Sequence, residues 1–255
     1  MSKKHPRKNE GLQGYLGKVL AQALEFLPDA LYRGLSQYFR LEYEGVENLP
    51  EKGRALVVAN HSDALGYDAF MLALCIAQAT KRKPTMMAHR FWFSNDFLDS
   101  FSRFFELFPA DLKEGLNSLA KDNLVIIFPE GADGNFKISS KMYKLVDFNP
   151  GFVPLAIMQN APVVPAVIMG AEETHFNLGT TDLFKNFIGA DVPLPANLIP
   201  FPARWKIKFL KPIDLKKYSK KDIKNARFVK EINQNIRYRI QHEIDKELKK
   251  RMQAF

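Results

Sequence analysis

One histidine in this sequence sits where an imidazole can do chemistry. His61 follows the apolar run RALVVA and lies in Asn60-His61-Ser62-Asp63, with another carboxylate at Asp68. Imidazole is the side chain best suited to take a proton near neutral pH. A carboxylate bonded to its Nδ1–H fixes the tautomer and supports the charge it gains. Asp68 can be that partner if the intervening loop folds back. Asp63 is the rival, over a span that makes the geometry harder. Asp68 also fits a helix N-cap with no chemistry attached. Two more polar clusters follow apolar runs: Pro129-Glu130-Gly131 after LVIIF, and Gly170-Ala171-Glu172-Glu173 after VVPAVIM.

The other histidines offer less. His5 and His242 lie in basic surroundings, His89 has no acidic neighbour at useful spacing, and His175 merely follows Glu172 and Glu173. No Gly-x-Ser-x-Gly elbow, Walker loop, dinucleotide fingerprint or Cys/His metal spacing is present, so no metal and no cofactor is expected. Cys75, the single cysteine, sits in an apolar helical run and reads as core. Its being alone excludes an internal disulfide and favours a reducing compartment. The chemistry indicated is general-base rather than covalent.

These residues need a scaffold that brings strand ends together. Apolar runs at Arg54–Ala59, Pro84–Ala88, Leu124–Phe128, Val163–Met169 and Trp205–Leu210 read as strands. Asp68–Ala79, Asn95–Glu106, Glu114–Lys121 and Gly151–Gln159 read as helices. Such alternation predicts an α/β fold with a mainly parallel or mixed central sheet flanked by helices. In sheets of that kind ligands bind beyond the carboxyl ends of the strands, where His61, Glu130 and Glu172 fall. N-terminal helices are expected through Leu12–Leu27 and again through Leu31, Leu35, Tyr38 and Phe39. Val229, Ile232, Ile236, Ile240, Ile244 and Leu248 mark a C-terminal amphipathic helix. Residues 176–203 are rich in Phe, Leu, Ile and Pro, and too apolar for a free loop, so they must pack on the protein or on a membrane.

The formal net charge of +9 is gathered at the ends. Residues 1–20 carry five Lys/Arg against one acid and residues 204–255 carry 17 against six, which leaves the middle net acidic. That segregation suits an anionic surface. No run is long and apolar enough for a spanning helix, and the N-terminus lacks a secretory pattern. The expected organisation is a disordered basic tail (1–10), N-terminal helices with possible membrane contact (11–42), a central domain (43–215) and a basic C-terminal helix (216–255).

Asn60-His61 with a downstream Asp, then Phe128-Pro129-Glu130-Gly131, then Pro162-Val163-Val164-Pro165, together resemble the glycerolipid acyltransferase family, which includes the lysophosphatidic acid acyltransferases. The family's commoner first motif has four residues between His and Asp, which would put the acid where this chain has Gly66. The wider spacing to Asp68 resembles a divergent branch related to monoacylglycerol and diacylglycerol acyltransferases. Gly134, Lys137, Tyr143, Leu145 and Phe148, and the later LPANLIPFPARWKIKFLKPIDL, follow the same branch.

The resemblance implies an O-acyltransferase acting from acyl-CoA or acyl carrier protein onto a hydroxyl of a glycerolipid or lysophospholipid. His61 is then the general base, and Asp68 orients it. Asn60, Ser62, Phe128, Pro129, Glu130 and Gly131 are assigned to substrate binding, with Pro165 in the motif linked to the acyl chain or its donor. The commoner Glu-Gly-Thr-Arg places an Arg for an acceptor phosphate where this chain has Asp133. Lys137, Lys141 and Lys144 are the cations available to replace it. The implied partners are the acyl donor, a lipid acceptor and an anionic membrane surface, with the protein cytoplasmic and peripherally bound. No nucleic acid is expected, because no recognised motif accompanies the charge. The alternative is a catalytically altered lipid-binding protein on the same fold.

Overall fold

A computed structural model describes residues 30–63, 65–183 and 192–253. The expected basic tail and the helix through Leu12–Leu27 lie outside the described residues. Residues 30–38 form α1. They are followed by β1 (Glu42–Glu44), β2 (Ala55–Ala59), α2 (Tyr67–Thr80), β3 (Thr85–Ala88), α3 (Asp96–Phe104), β4 (Leu107–Pro109), α4 (Leu112–Ala120) and β5 (Leu124–Ile127). The second half supplies α5 (Gly131–Asn135), α6 (Phe152–Gln159), β6 (Val163–Met169), β7 (Asn177–Thr181), β8 (Val192–Pro195), β9 (Lys206–Phe209) and α7 (Ala226–Gln253). For α4 the capping residue explains why the helix start differs from the apolar periodicity. Asp111 Oδ1 accepts from Glu114 N at 2.8 Å, so α4 begins at Leu112, ahead of its expected start.

Seven strands form one sheet in the order β1-β9-β6-β2-β5-β3-β4. β6, β2, β5, β3 and β4 run parallel to one another, whereas β9 is antiparallel to β6 and β1 is parallel to β9. The sheet is therefore mixed, with a parallel centre. β2, at its middle, is buried at all five positions because both faces are covered. Leu56 and Val58 enter the core shared with α4, α6 and α7, while Ala55, Val57 and Ala59 enter the core shared with α2, Phe39 and Trp205. The three-residue edge strands β1 and β4 are too short to leave a periodic signal in sequence.

Among the described residues of the 176–203 segment, β7 and β8 form a second, two-stranded antiparallel sheet. The segment leaves Leu183, Leu198 and Ile199 77–79% exposed, with Phe176, Leu178 and Phe201 at least half exposed. No described helix is long and apolar enough to cross a membrane.

α7 docks on the core through Val229, Ile236, Ile240 and Ile244, as its apolar spacing predicts, and turns its basic face outward. It is also fastened electrostatically to the sheet. Glu247, 3% exposed, meets Lys206 at 2.9 Å, Lys208 at 3.2 Å and Lys250 at 2.8 Å. Burial raises this carboxyl's pKa, but bonds to Lys250, Lys206 and Lys208 outweigh it and hold the pKa down at about 2. A carboxyl depressed in the folded state contributes stability that is full above its ordinary value of 4.5 and lost as pH falls toward about 2. Replacing Glu247 by Gln should cost about 2 kcal/mol at neutral pH, since the stranded lysines still reach water. Urea unfolding should also show a weaker pH dependence below 4.5 in the variant than in the native chain.

Candidate active site

Because β6, β2 and β5 are parallel neighbours, the residues that follow them fall side by side at one edge of the sheet. Asn60 makes the first turn away from β2. Its Oδ1 accepts from Ile168 N at 2.8 Å, and its Nδ2 donates to Ile168 O at 2.9 Å and to Ser62 Oγ at 3.2 Å. The side-chain amide thus stands in for a peptide group and carries the ladder on while the main chain departs. Asn60 is a stitch, nearly fully buried.

His61 comes next and is held on three sides. Its backbone N–H donates to Glu130 Oε1 at 2.9 Å, its ring stacks on Phe128 with centroids 4.4 Å apart, and its Nδ1 lies 2.7 Å from Asp68 Oδ2. Among the described residues nothing bonds to Nε2, and the side chain keeps 16% of its surface exposed.

Asp68 is the second residue of α2 and wholly buried. Besides His61 it accepts from Ser62 N at 2.6 Å and Ala69 N at 2.8 Å, at the helix end where backbone dipoles favour a negative charge. It is therefore the imidazole's partner while also serving a first-turn amide of α2, whose N-cap, Gly66, has no side-chain cap bond. Asp63 Oδ1 accepts from Leu65 N at 2.9 Å and Tyr67 N at 3.1 Å. Gly66, with φ of 82°, makes the left-handed turn that brings Asp68 round to face the ring.

Burial disfavours a charged His61, but the charge and hydrogen bond of Asp68 outweigh that, with Glu130 and Asp63 adding to them. The ring's pKa is raised above the ordinary histidine value. It is a base with a supported conjugate acid.

The remaining sequence candidates separate. Phe128 is the platform under the ring. Pro129 is buried, and its carbonyl accepts from Asn149 N at 2.8 Å. Glu130 is 4% exposed and spends its oxygens on the main chain, one on His61 N and the other on Val146 N at 2.8 Å. Its side chain lies so close to Gly134 that a Cβ there would come within 2.3 Å of Glu130 Cβ, so only glycine fits. Gly131 is exposed at the mouth, with φ of 59°.

Lys137 is not free to hold a substrate anion. Its Nζ lies 2.9 Å from Glu172 Oε1 and 3.6 Å from Glu130 Oε2, and the side chain is 6% exposed. It neutralises two carboxyls that burial pushes above their ordinary range. Lys144 is exposed and lies 3.8 Å from Asp245, and Lys141 is exposed. Pro165 is buried inside β6, paired in register with Val58, and is not brought to the strand-end cluster. Cys75 is buried in α2, and burial pushes its thiol up to about 12, which suits core rather than chemistry.

One member of the site escapes the sequence. His175 Nδ1 lies 2.8 Å from Asp63 Oδ2, a second histidine–aspartate pair behind the first. Its acid is 112 residues away in the chain, so no local spacing signals it.

The electrostatics give a direct expectation. An NMR titration should find His61 protonating at higher pH than an ordinary histidine, and Asp68→Asn should bring it back down, because the carboxylate is what lifts it. An unchanged titration in that variant contradicts the assignment of Asp68 as the ring's partner.

Comparison with known proteins bears on this geometry. The Acyltransferase family model matches residues 40–169, a span running from before β1 to the end of β6 and containing both strand-end motifs. Uncharacterized proteins of Mycobacterium tuberculosis and Mycobacterium leprae are each 31% identical over 230 residues, covering 86% of this chain. The chain spans 64% and 63% of their respective lengths. Among solved structures, the 1-acyl-sn-glycerophosphate (LPA) acyltransferase PlsC from Thermotoga maritima superposes with a TM-score of 0.52 at 19% identity, covering 87% of each chain, a likeness of fold. With its motifs at adjacent strand ends and more than half its length matched, the chain belongs to the Acyltransferase family.

Proposed function

We propose that the protein transfers a fatty acyl group from a thioester, acyl-CoA or acyl carrier protein, to a hydroxyl of a glycerolipid or lysophospholipid. The observation that carries this reading is the 2.7 Å bond from His61 Nδ1 to Asp68, which leaves Nε2 as the ring's acceptor at the strand ends. In this mechanism Nε2 takes the proton of the acceptor hydroxyl as its oxygen attacks the thioester carbonyl. The tetrahedral intermediate collapses with cleavage of the C–S bond. The leaving thiolate takes the proton back from the imidazolium, giving ester and free thiol. Asp68 stays ionised and stabilises the transient positive charge. Phe128 and Glu130 keep the ring and its backbone in place while the charge changes.

A lipid acceptor is supported by the apolar surface beside the site. β7 begins two residues after His175, and its segment exposes Phe176, Leu178, Leu183, Leu198, Ile199 and Phe201. Exposed large apolar groups gathered on one segment suit contact with a lipid layer. The protein in this reading works from a membrane surface, with its positive charge favouring anionic headgroups. Asp133, exposed in α5, and the pairing of Lys137 favour an acceptor whose head is not gripped by a cation at this loop.

Incubation with labelled acyl thioesters and a panel of glycerides and lysophospholipids should yield one acylated lipid. His61→Ala should lower that rate by about 10²–10⁴-fold while the far-UV spectrum is retained. Full activity in the variant eliminates the mechanism. Sedimentation with liposomes gives a separate check: binding should be strong on anionic vesicles at low salt and weaken as salt rises. Equal binding to neutral vesicles at all salt concentrations would rule out the electrostatic part.

A further inference from the structure

The second histidine–aspartate pair is not used by the reaction above, and it is incompletely bonded. His175 is 3% exposed and gives its Nδ1 to Asp63, yet its Nε2 is buried without a hydrogen-bond partner among the described residues. A buried polar nitrogen left without a partner is destabilising, so its surroundings matter. His175 lines a small cavity of about 10 Å³ together with Ser62, Asn135, Lys137, Ser139 and Asn177. Asn135 Oδ1 is also buried without a partner. The residues that carry these two orphaned atoms therefore line one small cavity, whose wall also includes Ile138 and Met142.

Their chemistry is complementary to a single ligand. In the tautomer that donates from Nδ1 to the Asp63 carboxylate, the ring offers Nε2 as an acceptor. Asn135 Oδ1 is an acceptor as well. Ser62 Oγ receives a bond from Asn60 and retains its own hydrogen to give. Two acceptors and one donor suit a water molecule, and a cavity of roughly 10–15 Å³ is the smallest that holds one.

We infer that His175, Asn135 and Ser62 form a binding site for one resident water molecule, which links the His175–Asp63 pair to the loop carrying His61 and Asp68. The loop has six residues between its two chemical groups and must be held from behind. Asp63 does this on one side, fixing the amides of Leu65 and Tyr67 while His175 holds its other oxygen, and Tyr67 rests on the His175 ring at 5.6 Å. The water completes the brace on the Ser62 side. His175 and Asp63 are thus positioning residues, acting on His61 through residues 62–67.

The test reads the site directly and needs no acyl transfer, so it stands apart from the proposed activity. Long-range proton–nitrogen NMR of the intact chain should show His175 protonated on Nδ1 only. Its ring protons should give a water cross-peak with the sign of a long-lived bound molecule. Asn135→Leu should remove that cross-peak without unfolding the chain. His175→Leu should also abolish the downfield Nδ1 proton of His61, and His175→Asn, whose amide can still donate to Asp63, should restore it. A His175 protonated on Nε2, the absence of a bound-water signal, or a His61 resonance indifferent to His175→Leu would each overturn the inference.

Discussion

A carboxylate with no access to water has to be satisfied entirely by the protein, and the loop geometry around Asp68 follows from that requirement. Its two oxygens are met by the His61 ring and by the amides of Ser62 and Ala69, at the positive end of α2. To deliver those amides the chain must leave β2, double back and enter a helix within a few residues. Asn60 makes the departure possible without breaking the ladder. Gly66 makes the return possible without strain. Ser62, Asp63 and Tyr67 between His61 and Asp68 are thus held by bonds of their own.

A second buried charge network supports the first. Glu130 joins the His61 backbone to Val146, and Lys137 joins Glu130 to Glu172, so the ends of β2, β5 and β6 are tied together by side chains. The 143–148 segment in this network is held in turn by α7. Arg237 donates to the carbonyls of Leu145 and Val146, Gln241 meets Tyr143 O and Leu145 N, and Asn233 reaches Phe148 O. Exposed cations elsewhere on α7 are consistent with its sequence, but these inward polar residues give the helix its connection to the site.

Apolar runs at β2, β5 and β6 announced a parallel centre, and polar residues immediately after them marked the strand-end cluster. Because the pairing depends on where a loop turns, spacing alone left Asp63 as a rival to Asp68 for the partner of His61, and the resemblance chose Asp68. Relations across large separations left no trace. His175 is joined to Asp63 by folding alone, and Lys137 looked like a free cation until two carboxyls from other strand ends were placed around it. Glu130 is the instructive case: its place at a strand end is legible, whereas its bonds to the amides of His61 and Val146 come from folding alone.

The way α7 grips residues 143–148 also orders events in time. A chain emerging from the ribosome presents every strand of the main sheet before residues 226–253 exist to cover them. Until that helix arrives, the carbonyls to which it donates and the amide of Leu145 lack their native partners, and the segment that meets Glu130 is left with its bonds to Lys137 and Glu172. The strand-end geometry therefore draws on α7 as well as on the strands that carry its residues. A nascent chain can have its sheet in place while the 143–148 segment still lacks the bonds α7 gives it.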